Sequence, residues 1–189
     1  MKKNDSKIAT NKITKIATFL VLIIISGMIA IPVPAIGVPF VLQNMLIMMA
    51  GGFLGKKYGT LTVGIFLLAS LLGLPFLSGG RGGVGLLFSP GSGFLLGFLL
   101  CPLTISLLLE KLGTRNLWCI IIAYVIGGAV LIDLMGSISL AYYSHTSWLT
   151  GIAMASIYLP IDLVKAVLAS VIHQRLKKET YLEEMHDSL

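Results

Sequence analysis

The chain has 189 residues, of which 56% are hydrophobic and 12% are charged, and its formal net charge is +6. Soluble domains carry about 25% charged residues, so this composition excludes an ordinary soluble domain. Because 189 residues are too few for two domains beside a membrane part, we predict a single integral membrane domain over residues 1–189.

Charge-free stretches predict six membrane-spanning helices and thus an all-α membrane protein. Residues 16–55 carry no charge over 40 positions, whereas a helix needs about 20 residues to cross the hydrocarbon core. Three prolines and a glycine divide this run into two spans, at positions 32, 34, 37 and 39. Four more spans follow, at residues 58–77, 91–109, 118–141 and 149–173. A short basic segment (1–15) precedes the spans and a short polar tail (174–189) follows them.

The basic residues predict the orientation of these spans. Of the 14 lysines and arginines, five precede the first span, two lie between the second and third, two between the fourth and fifth, and three follow the sixth. All twelve fall on one side, and the excess of positive charge in cytoplasmic loops places that side and both termini in the cytoplasm. The two exceptions are Arg81, in an outer loop, and Lys165, inside the last span. A five- or seven-span arrangement would scatter the same charges.

Two outer loops have an unusual composition, rich in glycine and proline but also apolar. They cover residues 31–40 and 73–93. Non-helical backbone at membrane depth is tolerated only where it is buried in protein or lines a cavity. Glycine also allows the backbone to approach a ligand closely. We therefore predict that these loops roof an outward-facing pocket; the alternative is that they are flexible extracellular turns.

Two opposite charges stand in the apolar sixth span. Asp162 and Lys165 are three residues apart and share one face of a helix, and Tyr158, four residues before Asp162, joins that face. A charge at the middle of a membrane costs a few kcal/mol on insertion scales, and such residues commonly face a partner, a cavity or a substrate. We predict that the pair holds a polar ligand inside the bilayer; the alternative is a purely structural ion pair.

Six segments of the chain together form a recognisable pattern. They are residues 38–43 (VPFVLQ), 50–55 (AGGFLG), 73–76 (GLPF), 79–83 (GGRGG), 89–98 (SPGSGFLLGF) and 159–165 (LPIDLVK). In these segments and in their order, the chain resembles the biotin-specific BioY family of substrate-binding S components of energy-coupling factor (ECF) transporters. Where that family has Pro-Thr-Gly-Gly-Tyr, residues 90–94 read Pro-Gly-Ser-Gly-Phe, so no threonine or tyrosine hydroxyl is available there.

The resemblance implies a high-affinity biotin-binding protein in the cell membrane of a prokaryote. Such a protein works with a transmembrane coupling subunit (EcfT-like) and two ATPase subunits, and it is itself not an enzyme. Biotin is the transported ligand, and no cofactor, metal or nucleic acid is implied. In this family the S component is thought to topple in the membrane and so carry the vitamin inward.

The residues offer suitable chemistry for biotin, which has ureido N–H donors, a carbonyl acceptor and a carboxylate. Asp162 can accept from a ureido N–H, while Lys165 can donate to the carbonyl or pair with the carboxylate, and the sequence leaves that choice open. Gln43 either contacts ligand or bridges helices, and Arg81 either attracts the carboxylate or is a solvated charge. The predicted ligand-binding residues are Gln43, Ser78, Gly79, Gly80, Arg81, Gly82, Gly83, Tyr158, Asp162 and Lys165.

Small residues on the first span predict a docking face. Ser26 and Ala30 form a small-xxx-small pattern, which allows close approach of helices, and S components of this family dock to the coupling subunit through small residues of the first helix. We predict docking through Ala17, Ser26 and Ala30; the alternative is packing within the chain.

Other function classes fit less well. Asp133 and Asp162 lie in separate spans, as in an intramembrane aspartyl protease, but the Gly-x-Gly-Asp motif is absent and Lys165 would keep Asp162 ionised. Asp133 instead shares a helical face with Ser137, and we expect it to bond a neighbouring helix. The glycine-rich loop lacks the Gly-Lys-Ser/Thr of a P-loop. An S component for another vitamin and an ion-coupled carrier remain as alternatives.

Overall fold

The computed structural model describes residues 2–28, 30–31 and 40–186, and the side chains of residues 10–28 and 41–178. The predicted all-helical architecture is confirmed. A two-residue antiparallel ladder pairs Ala30 with Val41 and Ile31 with Phe40, while the proline-rich segment 32–39 lies outside the described residues. The elements, in chain order, are α1 (Lys2–Met28), β1 (Ala30–Ile31), β2 (Phe40–Val41), α2 (Gln43–Leu71), a 3₁₀ helix (Val84–Phe88), α3 (Ser92–Leu112), α4 (Leu117–Tyr124), a π-helix (Val125–Val130), α5 (Leu131–Tyr143), α6 (Trp148–Ala155) and α7 (Leu159–His186).

Gly55 turns α2 back on itself, between the predicted second and third spans. Its φ of 74° and ψ of 176° are non-helical, and a positive φ favours glycine. A Cβ atom at Gly59 would lie 2.7 Å from the carbonyl oxygen of Ala50, so the two halves of α2 pack side by side. They are shorter than predicted, at 12 residues (43–54) and 16 residues (56–71).

Length and composition identify fewer full spans than the six predicted. Within the described residues, three helices are long and apolar enough to cross a membrane, and a fourth span arises if the bent pair α6 and α7 is counted as one. The two short halves of α2 complete six helical segments. The three long helices are Thr10–Met28, Ser92–Leu112 and the continuous run Leu117–Tyr143.

The predicted sixth span is not one straight helix, which corrects the sequence analysis. It is broken at residues 156–158, and α6 and α7 meet at a bend of 55°. Pro160 has no N–H to donate, so it is well suited to the first turn of a new helix. Tyr158 therefore lies in the turn just before α7, and its carbonyl accepts from the Asp162 N–H at 3.0 Å.

Helix α3 approaches both α2 and α5 closely, and glycines make these two contacts possible. A Cβ atom at Gly51 would lie 2.7 Å from the Cα of Pro102, and one at Gly97 would lie 2.9 Å from the Cα of Ile132 in α5. Small residues at such positions let helix backbones pack tightly in a membrane.

The core of the bundle is built mainly from large apolar side chains. The largest fully buried side chains include Ile23, Ile47, Met48, Phe66, Ile105, Ile120, Tyr124, Ile132 and His173.

Basic residues gather at one end of the bundle. The Nζ of Lys56, just after the Gly55 turn, lies 3.0 Å from a carboxylate oxygen of Glu110 near the end of α3. The Nζ atoms of Lys12 and Lys57 lie 5.5 Å and 5.9 Å from the ring centroid of Tyr58. Charges that the sequence placed before the first span and between the second and third are thus neighbours in space.

Candidate ligand-binding site

A cavity of about 390 Å³ lies at the opposite end of the bundle from these lysines. Gly91, immediately before α3, lines it, whereas Glu110 lies near the other end of the same helix. Its volume is within the range of small-molecule pockets, roughly 300–1,000 Å³. Its polar lining residues are Gln43, Asn44, Ser78, Arg81, Ser89, Tyr158, Asp162 and Lys165.

Asn44, Asp162 and Lys165 form a closed hydrogen-bonded triangle in the cavity wall. The Lys165 Nζ donates to Asp162 Oδ1 at 2.8 Å and to Asn44 Oδ1 at 3.0 Å, and Asn44 Nδ2 donates to Asp162 Oδ1 at 2.7 Å. Asp162 and Lys165 are 5% and 4% exposed. The sequence prediction that these two residues share a face is met.

The triangle carries no net charge, because the Lys165 ammonium and the Asp162 carboxylate balance each other and the Asn44 amide is neutral. The amide orientation of Asn44 is fixed, because an ammonium only donates and a carboxylate only accepts. Burying both charges is costly, and their mutual attraction with added hydrogen bonds offsets much of that cost. Both bonds to the carboxylate end on Oδ1 of Asp162.

Sequence reasoning missed Asn44 as a site residue. The available signal was its position, since Asn44 and the adjacent Gln43 are the two polar side chains in the first half of α2 (43–54). Such residues inside a membrane commonly mark functional sites. Its partners are more than a hundred positions away in the chain, so its place in the triangle depends on the packing of α2 against α7.

Gln43 and Arg81 both line the cavity, but in different environments. Gln43 is 2% exposed, and its amide bonds to the carbonyl groups of Ile23 and Phe76 and to Ser78. Arg81 is exposed, and its Nε donates to the carbonyl oxygen of Ser78 at 3.0 Å. Arg81 therefore stands at the rim, whereas Gln43 is enclosed behind the loop.

The four glycines around Arg81, which the sequence predicted as ligand-binding residues, are not among the residues that line the cavity. The N–H groups of Gly80 and Gly83 donate to the carbonyl oxygens of Leu77 and Ser70 at 2.9 Å and 2.7 Å. These bonds stabilise the fold of the loop itself.

Backbone geometry explains why this loop needs glycine. Gly79, Gly80 and Gly83 have φ values of 75°, 70° and 102°, a region that side-chain-bearing residues rarely adopt. A Cβ atom at Gly82 would overlap the carbonyl oxygen of Leu74. The glycines thus shape the turn that carries Ser78 and Arg81 to the cavity.

Much of the remaining cavity wall is apolar. Tyr158 is half-buried, and its ring packs edge-on against Phe94 with centroids 5.5 Å apart. A site with a polar triangle, an exposed arginine and many apolar lining residues suits a ligand that has both polar groups and apolar surface. Its main apolar residues are Leu77, Leu86, Phe94, Leu95, Phe98, Ile132, Leu140 and Ile161.

The predicted docking residues of α1 have different exposures. Ala17 is exposed. Ser26 is only 6% exposed and its hydroxyl donates to the Ile23 carbonyl at 2.9 Å, so for Ser26 the structure favours the alternative of packing within the chain. Ala30 belongs to β1, and its side chain lies outside the described residues.

Two other buried polar groups lie away from the cavity lining. Asp133 is 7% exposed, and neither carboxylate oxygen has a hydrogen-bond partner among the described residues. The expected bond to a neighbouring helix is therefore not found there, and Ser137 donates instead to the Leu134 carbonyl. The Tyr124 hydroxyl and His173 Nδ1, which the sequence did not single out, form a buried hydrogen bond of 2.8 Å.

Comparison with known proteins finds similarity over nearly the whole chain. The BioY family profile matches residues 1–181. The chain is 39% identical to the biotin transporter BioY of Lactococcus lactis over 180 residues, which cover 93% of this chain and 94% of that protein. It is 34% identical to the biotin transporter BioY of Thermotoga maritima over 170 residues, or 88% of this chain and 96% of that protein.

A solved structure shares the fold. It is the crystal structure of the S-component for biotin from an ECF-type ABC transporter, which matches with a TM-score of 0.83 and 40% sequence identity, over 93% of this chain and 94% of that one. At this identity and coverage, the arrangement of the six helical segments is shared and not only their number.

Proposed function

The chain belongs to the BioY family, a family of transporters and not of enzymes, and from this premise we propose that it binds biotin as the S component of an ECF-type ABC importer. The observation that carries the proposal is the cavity itself. The cavity is lined by the Asn44–Asp162–Lys165 triangle, by Arg81 and by many apolar side chains. Biotin combines matching groups, a ureido ring and a carboxylate joined by an apolar ring and chain.

We propose that the ureido group meets the triangle and the carboxylate meets Arg81. The triangle is neutral and offers both donors and acceptors, as a ureido group requires, and Oδ2 of Asp162 is the acceptor that we assign to a ureido N–H. The guanidinium of Arg81 can bind a carboxylate through two parallel hydrogen bonds. An anion at the triangle would instead lie beside the Asp162 carboxylate, which is unfavourable.

Titration of the purified protein with different vitamins tests the ligand. We expect tight binding of biotin and no comparable binding of thiamine, riboflavin or niacin, measured by isothermal calorimetry in detergent. Tight binding of another vitamin in place of biotin would assign the chain to a different substrate. No tight binding of any of the four would contradict the proposed function.

We propose that both termini face the cytoplasm of a prokaryotic cell and that the cavity opens outward. The gathering of Lys12, Lys56 and Lys57 at the end of the bundle away from the cavity supports this orientation, since positive charge is enriched on the cytoplasmic side. We further propose that the protein assembles with a transmembrane coupling subunit and two ATPase subunits.

Ala17 offers a test of this assembly. We expect Ala17→Trp to impair co-purification with the coupling subunit while changing biotin affinity less than about 2-fold, because Ala17 is exposed on α1 and lines no cavity. Leu22→Trp is the matched control: Leu22 is also exposed, at 42%, but lies about 140° further around the helix. Equal assembly of Ala17→Trp and the wild type would show that docking uses another surface.

A further inference from the structure

We propose that Gln43 is a positioning residue that holds Arg81, through Ser78, in place for the ligand carboxylate. The inference rests on the proposed function, because it assumes that Arg81 receives the carboxylate. Of the two sequence-based expectations for Gln43, contact with the ligand or bridging of helices, it develops the second.

The hydrogen-bonding capacity of the Gln43 amide is used entirely within the protein. Its Nε2 donates to the carbonyl oxygens of Ile23 at 3.1 Å and Phe76 at 2.7 Å. Its Oε1 accepts from the N–H and the hydroxyl of Ser78 at 3.2 Å and 3.3 Å. A primary amide has two N–H donors and two lone pairs on oxygen, so these four bonds fill it. The amide orientation is fixed, because carbonyl groups only accept and a backbone N–H only donates.

The four bonds join three parts of the chain at one buried point. Ile23 belongs to α1, Gln43 begins α2, and Phe76 and Ser78 belong to the loop between α2 and α3. The backbone leaves room for this amide, since a Cβ atom at Gly27 would overlap Gln43 Nε2. The N–H of Gly79 also donates to the Gly27 carbonyl, at 3.4 Å. The loop is therefore fastened to α1 and α2 just before Arg81.

Ser78 transmits this fastening to Arg81. Its N–H and hydroxyl are held by Gln43, while its carbonyl oxygen accepts from Arg81 Nε at 3.0 Å. The N–H and carbonyl of Leu77 bond reciprocally to the carbonyl and N–H of Arg81, at 3.1 Å and 3.2 Å. An exposed arginine side chain normally samples many rotamers. The bond at Nε reduces this freedom and leaves the two terminal nitrogens to bind a carboxylate as a fork.

The test compares biotin with its uncharged methyl ester in four proteins: the wild type, Gln43→Met, Arg81→Gln and the double variant. We expect Gln43→Met and Arg81→Gln each to weaken biotin binding about 10-fold, as for loss of a charged hydrogen bond, and to change binding of the ester less than about 2-fold. We expect the double variant to bind biotin no more weakly than Arg81→Gln, because the two residues act through one contact. Ser26→Ala is the control, since it removes a different bond to the Ile23 carbonyl and should leave the ratio of the two affinities unchanged.

The outcomes separate this inference from the proposed function. Failure of the wild type to bind biotin contradicts the proposed function. A Gln43→Met variant that loses affinity for biotin and ester equally, or whose effect adds to that of Arg81→Gln, overturns the inference alone. An Arg81→Gln variant that does not discriminate the two ligands overturns the inference together with the proposed orientation of biotin, but not the proposal that the protein binds biotin. If Gln43→Met does not fold, Ser78→Ala tests the same chain of contacts by removing one of the four bonds. We expect it to weaken biotin binding about 3-fold and to leave ester binding unchanged, and wild-type affinity for biotin overturns the inference.

Discussion

Lys165→Met is expected to weaken biotin binding by about 100-fold or more. The substitution removes the donor that bonds both Asp162 and Asn44, and it leaves a carboxylate that is 5% exposed without its counter-charge. Breaking a buried ion pair by removing one partner costs about 3–5 kcal/mol of folding stability. Affinity falls for a separate reason, because the triangle that we assign to the ureido group no longer forms, and 100-fold corresponds to about 2.8 kcal/mol of binding free energy. Calorimetric titration of purified, monodisperse protein with biotin measures the effect.

Lys56→Met is the matched control for this experiment. Lys56 also pairs with a carboxylate at short distance, but the side chains of Lys56 and Glu110 are 52% and 53% exposed. Exposed ion pairs contribute little, commonly below about 1 kcal/mol. We expect this variant to bind biotin within 2-fold of the wild type.

Asp162→Asn separates a ligand-binding role of the pair from a structural one. The single variant leaves the Lys165 ammonium buried without a carboxylate at Asp162, so it too should lose both thermal stability and affinity. The double variant Asp162→Asn with Lys165→Met carries no charge at these two positions and should regain stability while still failing to bind biotin. Wild-type affinity in both single variants would mean that the pair is only structural.

The sequence predicts local and periodic features of this fold well. The apolar runs identified the helices, the glycine and two lysines at 55–57 marked the turn within α2, and the three-residue spacing of Asp162 and Lys165 predicted their contact. These features depend on residues close together in the chain. Arg81 was likewise singled out correctly as a residue that borders the cavity, because it is the one basic residue in a predicted outer loop.

Features that depend on tertiary packing were not predictable in the same way. Asn44 meets Asp162 and Lys165 only because α2 packs against α7. The closed set of bonds around Gln43 requires α1 and the 73–91 loop to reach the same point. The glycines of that loop were recognised as special, but sequence alone does not distinguish glycine that exposes its N–H to a ligand from glycine that permits a positive φ.

Gly51→Ala adds one methyl group, and we expect this group to destabilise the bundle. Its Cβ would lie 2.7 Å from the Cα and 2.9 Å from the carbonyl oxygen of Pro102. These are backbone atoms, which cannot rotate away as a side chain does. The carbonyl of Gly51 also accepts from the Ser106 hydroxyl at 3.2 Å, so relief of the clash by separating α2 and α3 stretches that bond. Overpacking of this kind costs about 1–3 kcal/mol.

The same substitution at Gly64 isolates the effect of the contact. Gly64 lies in the second half of α2, where a Cβ atom would meet only Leu99 Cδ1 at 3.8 Å, an ordinary distance. Alanine is favoured over glycine in helices by up to about 1 kcal/mol. Gly64→Ala should therefore unfold at the same temperature as the wild type or a higher one. Equal stability of Gly51→Ala and Gly64→Ala would contradict the close approach of α2 to Pro102.

Thermal unfolding followed with a thiol-reactive dye measures both variants in a Cys119→Ser background. Cys119 is only partly buried, whereas Cys101 is fully buried and reacts only on opening. For a chain of this size, each 1 kcal/mol of lost stability lowers the Tm by roughly 2–4 °C. We therefore expect the Tm of Gly51→Ala to fall by about 5 °C.

The effect of Gly51→Ala should extend to the ligand site, since Asn44 lies seven residues before Gly51, two turns away on the same helical face. Biotin should restore part of the lost Tm in Gly51→Ala, because a ligand that binds only the folded state stabilises it. We therefore expect the close contact of α2 with α3 to stabilise the bundle and also to help hold Asn44 against Asp162 and Lys165.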